Sequence, residues 1–188
     1  MHKKLKKYIE HYESIEDATS YELLPNGGMI LLINLASGNT HCQITIEKEV
    51  YTLQQSEAML INAYVESVYI QSDEKQELMA VRFKGAGASF FYEDEMTRLM
   101  QVPDEPINIE NNMLKDDLDS YLLSRLIASK LPFNIMKIIE LLDEQGSDYS
   151  IDDVMSIANV PRKVLDKMFN LRTGLTFKTY ASLREKMD

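Results

Sequence analysis

The chain has no tryptophan, one cysteine and three histidines among its 188 residues, and each scarcity narrows what it can do. With Cys42 alone no intrachain disulfide is possible, which fits a reducing compartment. His2, His11 and His41 share no ligand spacing with one another or with Cys42, so no metal is expected. Long apolar runs are missing too. The longest clear one, Met29 to Leu35, has the length of a strand, against the ~20 residues of a membrane span. The start, MHKKLKKYIEHYE, is basic but lacks the unbroken apolar region of a secretory signal. A cytoplasmic chain without a membrane partner is the expectation. Gly85-Ala86-Gly87 is followed by no Gly-Lys-Ser/Thr, so it reads as a turn and not a phosphate loop. Glu93, Asp94 and Glu95 read as the acidic first turn of a helix, and no nucleophile stands with a base and its orienting partner. Neither catalysis nor a cofactor is expected.

What the chain does carry is acid, unevenly spread. Its formal net charge is -10. Residues 1–131 hold 12 basic and 21 acidic side chains, whereas residues 132–188 hold 8 and 9. Between Val160 and Met187 seven basic residues face only Asp166 and Glu185, a local excess of +5. A surface that meets polyphosphate needs such a local excess, whatever the total.

Hydrophobic periodicity divides the chain into a β-rich region and a helical one. Leu5, Tyr8, Ile9 and Tyr12 fall at helical spacing and predict a short first helix. Pro25-Asn26-Gly27-Gly28 is a turn by composition. Six strand-length segments follow: 29–35, 41–46, 50–54, 58–63, 67–71 and 78–84. They are separated by Ser37-Gly38-Asn39, by Glu47-Lys48-Glu49 and by Ser72 to Lys75, and short, regularly spaced strands indicate a small barrel or sandwich. A helix is expected over 93–100, and Pro103 and Pro106 then break regular structure. Leu114, Leu118, Tyr121, Leu122 and Arg125 share one face of a helix over 113–130. Farther on, Ile135, Ile138, Ile139 and Leu142 recur at helical spacing and Gly146 supplies a stop. The fold class expected is α+β: a β-rich domain over 1–106, a connecting helix over 107–131 and an all-α subdomain over 132–188.

Within that subdomain, residues 150–174 have the spacing of two short helices joined by a tight turn. Ser150 can cap the first helix, with Asp153 in the capping-box position, and Ile151, Val154, Met155 and Ala158 form its apolar face. Asn159 suits a turn that needs a left-handed backbone. The second helix, 161–173, starts on Pro161, which has no amide hydrogen to lose there. It buries Leu165, Met168 and Phe169 and turns Arg162, Lys163, Asp166, Lys167 and Asn170 outward. By themselves these features fit a helix-turn-helix or an ordinary small helical domain with a solvated basic face.

The segment SIDDVMSIANVPRKVLDKMFNLRTGLTFKTY resembles the first helix-turn-helix of AraC-type regulators. Ile151, Ala158, Val160, Leu165, Phe169, Thr173, Gly174, Leu175, Lys178 and Tyr180 match that pattern, and Lys163 and Lys167 stand where it has Arg. Upstream, KKYIEHY, LPNGGMILLINLASG and MAVRFKGAGASFFY are similar to the N-terminal domain of one branch of these regulators. Pro161 departs from the family's Ser and Phe177 from its Pro. The family's DNA-binding domains carry two helix-turn-helix units, of which this sequence reaches the first. The resemblance implies a transcription regulator whose helix 161–173 enters the major groove of double-stranded operator DNA. Arg162 would read a base, Lys163 and Lys167 would reach bases or phosphates, and Arg172 and Lys178 would hold the backbone. A small-molecule effector or a homodimer is implied for the β-rich domain. The aromatic residues Phe90, Phe91, Tyr92, Tyr64, Tyr69 and Phe83, with Met59, either line an effector pocket or pack the core. Leu114, Leu118, Tyr121 and Leu122 either form a dimer seam or pack on their own domain. The alternative for the whole chain is a truncated regulator acting as a protein-interaction module that does not bind DNA.

Overall fold

The Met29–Leu35 run is apolar at every position but Asn34 because its central strand is covered on both sides. In the computed structural model, which describes residues 1–25, 27–36, 40–61, 66–92, 107–108, 118–126, 137–138, 151–159 and 161–185, strand β2 (Ile30–Asn34) is buried at all five positions. Ile30 and Leu32 point into one hydrophobic cluster and Leu31 and Ile33 into another. A strand alternates its side chains between two faces, so both faces of this one are core.

Around it lie β1 (Ile9–Leu23), β3 (His41–Ile46), β4 (Glu49–Gln54), β5 (Glu57–Ile61), β6 (Val68–Phe83) and β7 (Ile107–Asn108). They form one antiparallel sheet in the order β4-β3-β6-β2-β5-β7, with β1 paired to β6. The sheet curls into a nearly closed barrel, and helices complete an α+β fold. Ile15, Leu23, Cys42, Ile44, Leu53 and Val68 fill the barrel with the inward residues of β2. Burial pushes the Cys42 thiol up to about 11, so it stays protonated and inert.

β6 is the shared element. Along one edge it pairs with β1 from Val68 to Phe83. Its other edge takes β3 at Tyr69–Gln71 and β2 at residues 78–82. The polar stretch Ser72 to Lys75, expected to separate two strands, is instead an irregularity inside this single strand of 16 residues. The register jumps there, from Ser20↔Gln71 to Ala18↔Gln76. Ser72 Oγ donates to the His41 carbonyl (3.0 Å) and accepts from the Glu74 amide (3.3 Å) and Gln76 Nε2 (2.9 Å). A side chain thus takes over bonds the ladder loses, and the strand bends without ending.

The N-terminal segment differs from the helix expected of it. Leu5–Lys7 form one 3-10 turn, and the chain is extended from Ile9 onward. Leu5 and Ile9 are both fully buried, but a turn followed by a strand places them there, because Ile9 pairs with Phe83. Farther along β1, Glu13 takes a hydrogen bond from Tyr21 and another from Arg82 Nε at 2.7 Å. Glu13 pairs with Ala80, so Arg82 is its diagonal neighbour across the strands. Partial burial works to raise the Glu13 carboxyl, but the bonds from Tyr21 and Arg82 outweigh it and hold the group below its ordinary value of 4.5. A carboxyl lowered by folding stabilises the fold above its unfolded value and ceases to as pH falls through the folded one. The stability difference between the parent and Glu13→Gln, from urea midpoints, should therefore shrink as pH drops from about 5 to about 3. A difference constant over that range would contradict this account.

The outer face of β2, β5 and β6 is covered by the second cluster. Met79, Val81 and Phe83 meet the 3-10 helix Gly87–Phe90, helix α1 (Leu118–Arg125) and three C-terminal helices, α2 (Ile151–Ala158), α3 (Arg162–Thr173) and α4 (Phe177–Glu185). Leu118 and Leu122 are 3% and 0% exposed, so within the chain they pack on its own core; Leu114 lies outside the described residues. β7, just past residue 106, adds to β5. The helix expected at 93–100, the Ser150 cap and all but residues 137–138 of the helix expected near 135–142 also lie outside the described residues.

Candidate nucleic-acid interface

Two carboxylates, Asp152 and Asp153, sit in the first turn of α2, where the helix dipole favours them. Val154 is buried from this helix, while Ile157 is 36% exposed. Asn159 follows with φ 51°, the left-handed conformation expected at this turn, which Asn tolerates better than most residues. Pro161 is extended (φ -61°, ψ 147°) and precedes α3 as its N-cap, one position before the place expected for it. Its carbonyl accepts from the amides of Val164 and Leu165, and no side chain caps the helix. A Ser at this position could have accepted from one of the free amides of the first turn.

Helix α3 separates its residues by face. Leu165, Phe169 and Thr173 are buried, whereas Arg162, Lys163, Val164 and Lys167 are exposed and Asp166, Met168, Asn170 and Arg172 are half-buried. Arg162 Nε lies 3.9 Å from Asp166 Oδ2, an ion pair one helical turn apart with both side chains in solvent. Such a pair is worth only about 0.3–0.5 kcal/mol, so Arg162 is not fixed by it. Three of the five expected site residues, Arg162, Lys163 and Lys167, are thus exposed on the N-terminal half of α3. Arg172 stands in the last turn, about 15 Å beyond Arg162 and about 7.5 Å beyond Lys167 along the axis. Lys178 is exposed in the first turn of α4. They flank the group and are not part of it.

The sequence Thr173-Gly174-Leu175-Thr176 positions α4 against α3. Thr173, fully buried, donates to the Phe169 carbonyl (2.8 Å) and accepts from the Leu175 amide (3.1 Å). Gly174 has φ 77° and donates to the Asn170 carbonyl, ending the helix with a left-handed residue. Thr176 Oγ1 accepts from the Thr179 amide at 3.1 Å and caps α4. The two helices then meet through aromatic rings: Phe169 contacts Phe177 edge-on at 5.6 Å and Tyr180 at 5.3 Å. Tyr180 also reaches the β-region. A Cβ on Gly27, which has φ +72°, would stand 3.3 Å from Tyr180 Cε2 and 3.8 Å from Leu183 Cβ. The turn before β2 therefore supports α4 directly.

Sequence reasoning missed Val164, 42% exposed, which presents an apolar patch among the cations of α3. Its place next to inward Leu165 was the available signal. Of the two readings for the aromatic residues, core packing holds for most of those described, and they do not gather as one pocket. Phe83, Phe90, Phe91 and Tyr92 are buried in the outer cluster, Met59 is in the barrel, Tyr69 faces solvent and Tyr64 is outside the described residues. A polar cleft of about 350 Å³ lies between β1, β3 and β6, lined by Thr19, His41, Gln43, Gln71, Ser72 and Asp73. Among the described residues no three His, Cys, Asp or Glu side chains are placed to hold a metal, and no helix is long and apolar enough to cross a membrane.

No protein-family model matches the sequence, and no curated protein does. Solved structures do. ToxT from Vibrio cholerae superimposes with a TM-score of 0.51 at 12% identity, covering 93% of this chain and 80% of ToxT. A ToxT structure from strain SCE256 with an unsaturated fatty acid bound gives 0.51 and 12% over 92% of this chain and 76% of that one. A cupin-2 domain containing protein from Shewanella frigidimarina matches 37% of this chain and 66% of its own at 14% identity, with a TM-score of 0.32 too low to build on. At such identities the likeness establishes the fold, which this chain shares with an AraC-family regulator.

Proposed function

We propose that this chain is a cytoplasmic, non-catalytic transcription regulator of the AraC type that binds double-stranded operator DNA through α3. In this reading residues 1–106 sense a small-molecule effector or self-associate, residues 107–131 connect, and residues 132–188 bind DNA. The observation that carries it is the α2-turn-α3 unit. Its left-handed Asn159 and buried Leu165 and Phe169 seat α3 so that Arg162, Lys163 and Lys167 on its N-terminal half are exposed.

Each exposed group suits one part of a duplex. Arg162 can exchange its weak pair with Asp166 for a bidentate contact to guanine, worth about 1–3 kcal/mol of discrimination. Val164 can meet a thymine methyl. Lys163 and Lys167 neutralise phosphate, and the uncapped start of α3 offers amides and the positive end of a dipole. Arg172 and Lys178 would hold the backbone to either side. The fold shared with ToxT, one structure of which holds an unsaturated fatty acid, supports an effector for the barrel domain.

A 30-base-pair duplex selected from a random library against the full chain is the probe. Log affinity should fall linearly with log salt, with a slope of about -0.9 per phosphate contacted. Lys167→Ala should flatten that slope by roughly one contact, and Arg162→Ala should relax the selected sequence at one position. If no duplex binds at about 50 mM salt, or both variants behave as the parent does, the proposal fails. The net charge of -10 and the exposed Ile157 and Val164 would then favour the protein-interaction module.

A further inference from the structure

Helix α1 places Tyr121 and Arg125 one turn apart on the side that also carries Leu118 and Leu122. That side faces the core, so the guanidinium is carried toward apolar surroundings. There it meets two rings: its Cζ lies 5.0 Å from the Tyr92 ring centroid and 5.7 Å from that of Tyr121. Ring faces attract a cation but leave its N–H groups without lone pairs to bond. Arg125 Nε is buried and unpartnered, and so are the hydroxyls of Tyr92 and Tyr121. Among the described residues five buried side-chain atoms lack a partner, and three of them converge at this one place. A buried polar atom without a partner is destabilising, which makes a chance cluster of three expensive.

The chemistry of the three groups specifies what would complete them. An arginine only donates, and a phenol donates as well as accepts. Tyr92 is 7% exposed, and burial raises its hydroxyl, so it remains a donor at neutral pH. A cation with several donors around it calls for an anion rich in lone pairs, and guanidinium matches carboxylate and phosphate in particular.

We propose that Arg125, Tyr92 and Tyr121 form a binding site for the carboxylate or phosphate group of a small anionic ligand. The site joins the end of the 3-10 helix Gly87–Phe90 to α1. The opposite side of α1 is already tied to the N-terminus, through the Tyr12 hydroxyl donating to Asp119 (2.7 Å) and the terminal amine 3.6 Å from the same carboxylate. An anion held there would lock α1 against the outer face of the sheet. This inference does not rest on DNA binding by α3, and its test needs no DNA.

Calorimetric titration of the full chain with inorganic phosphate and with butyrate, at ionic strength fixed with chloride, tests it. One of the two should bind saturably at one site per chain, with a Kd at or below about 1 mM, and raise the thermal midpoint. Phosphate alone identifies a phosphoryl group, and butyrate alone a carboxylate. Arg125→Met should weaken binding by on the order of tenfold or more. Tyr92→Phe keeps the ring and removes only the hydroxyl; it should weaken binding by roughly threefold to tenfold with the circular dichroism spectrum unchanged. Should Arg125→Met fail to fold, Tyr92→Phe decides. No saturable binding of either anion above the chloride control, or equal binding by parent and Tyr92→Phe, overturns the proposal.

Discussion

Phe169→Ala is expected to cost about 3–5 kcal/mol of stability, the range for removing a buried aromatic side chain. Phe169 is fully buried and its ring is shared between two neighbours, Phe177 and Tyr180, both packed edge-on. Deleting it opens a cavity where α3 and α4 meet. Because natural domains hold only about 5–15 kcal/mol in total, the loss should be plain as a lower midpoint in urea. Phe169→Leu, which refills most of the space, should recover the greater part. A loss below about 1 kcal/mol for Phe169→Ala would mean that α3 and α4 do not depend on this contact. If α3 binds DNA as proposed, the same variant should weaken that binding although it alters no exposed cation, because the orientation of α3 depends on this contact.

Gly87→Ala is the second substitution with a large expected effect. A Cβ at Gly87 would collide with the backbone carbonyl of Tyr8. That carbonyl cannot simply move aside, because it accepts the Lys84 amide at 2.9 Å and so fixes the end of β6 against the start of β1. Forcing extra volume into such a contact costs about 1–3 kcal/mol, and a backbone neighbour places Gly87→Ala at the upper end. Thermal unfolding should show the loss, and a midpoint equal to the parent's would refute the close approach. The result also explains why the Gly85-Ala86-Gly87 segment carries two glycines. Gly85 takes positive φ (38°) and Gly87 admits a neighbouring chain, so both requirements belong to the fold.

Periodic features were the ones the sequence displayed. Residues 41–46 form β3 with the bounds their alternation predicts, since Cys42 and Ile44 face the barrel and His41 and Gln43 face solvent. Asn159 was legible because few residues other than glycine accept its backbone conformation. The outward set on α3 was legible because a helix separates faces at a fixed period. Tertiary pairing was not. β1 carries a mostly polar stretch between Ile15 and Leu23 and finds its conformation by pairing with β6, which no local pattern announces. Ser72 to Lys75 has the composition of a loop, yet the Ser72 side chain keeps it within a strand. At the candidate interface Arg162, Lys163 and Lys167 are exposed on the N-terminal half of α3 and Arg172 lies in its last turn, while the left-handed turn at Gly174 separates all four from Lys178 on α4. The grouping of Tyr92 with Tyr121 and Arg125 joins segments whose contact has no sequence signature at all.

The long pairing of β1 with β6 sets a timetable for the newborn chain. Ile9 must find Phe83 and Leu23 must find Val68, so β1 leaves the ribosome well before its partner exists. At synthesis rates of about 5–20 residues per second that interval is on the order of 4–15 s, far longer than the 1–10 μs in which a hairpin such as β3-β4 closes. During it Leu5, Ile9 and Ile15 lack the strand that will cover them. Contacts so distant in sequence also form slowly in a complete chain. The helical segment around α3 is made after the strands it packs on and needs no such wait. Folding of this protein is therefore paced by the closing of β6 onto β1, and it is there that a chaperone would find the exposed chain.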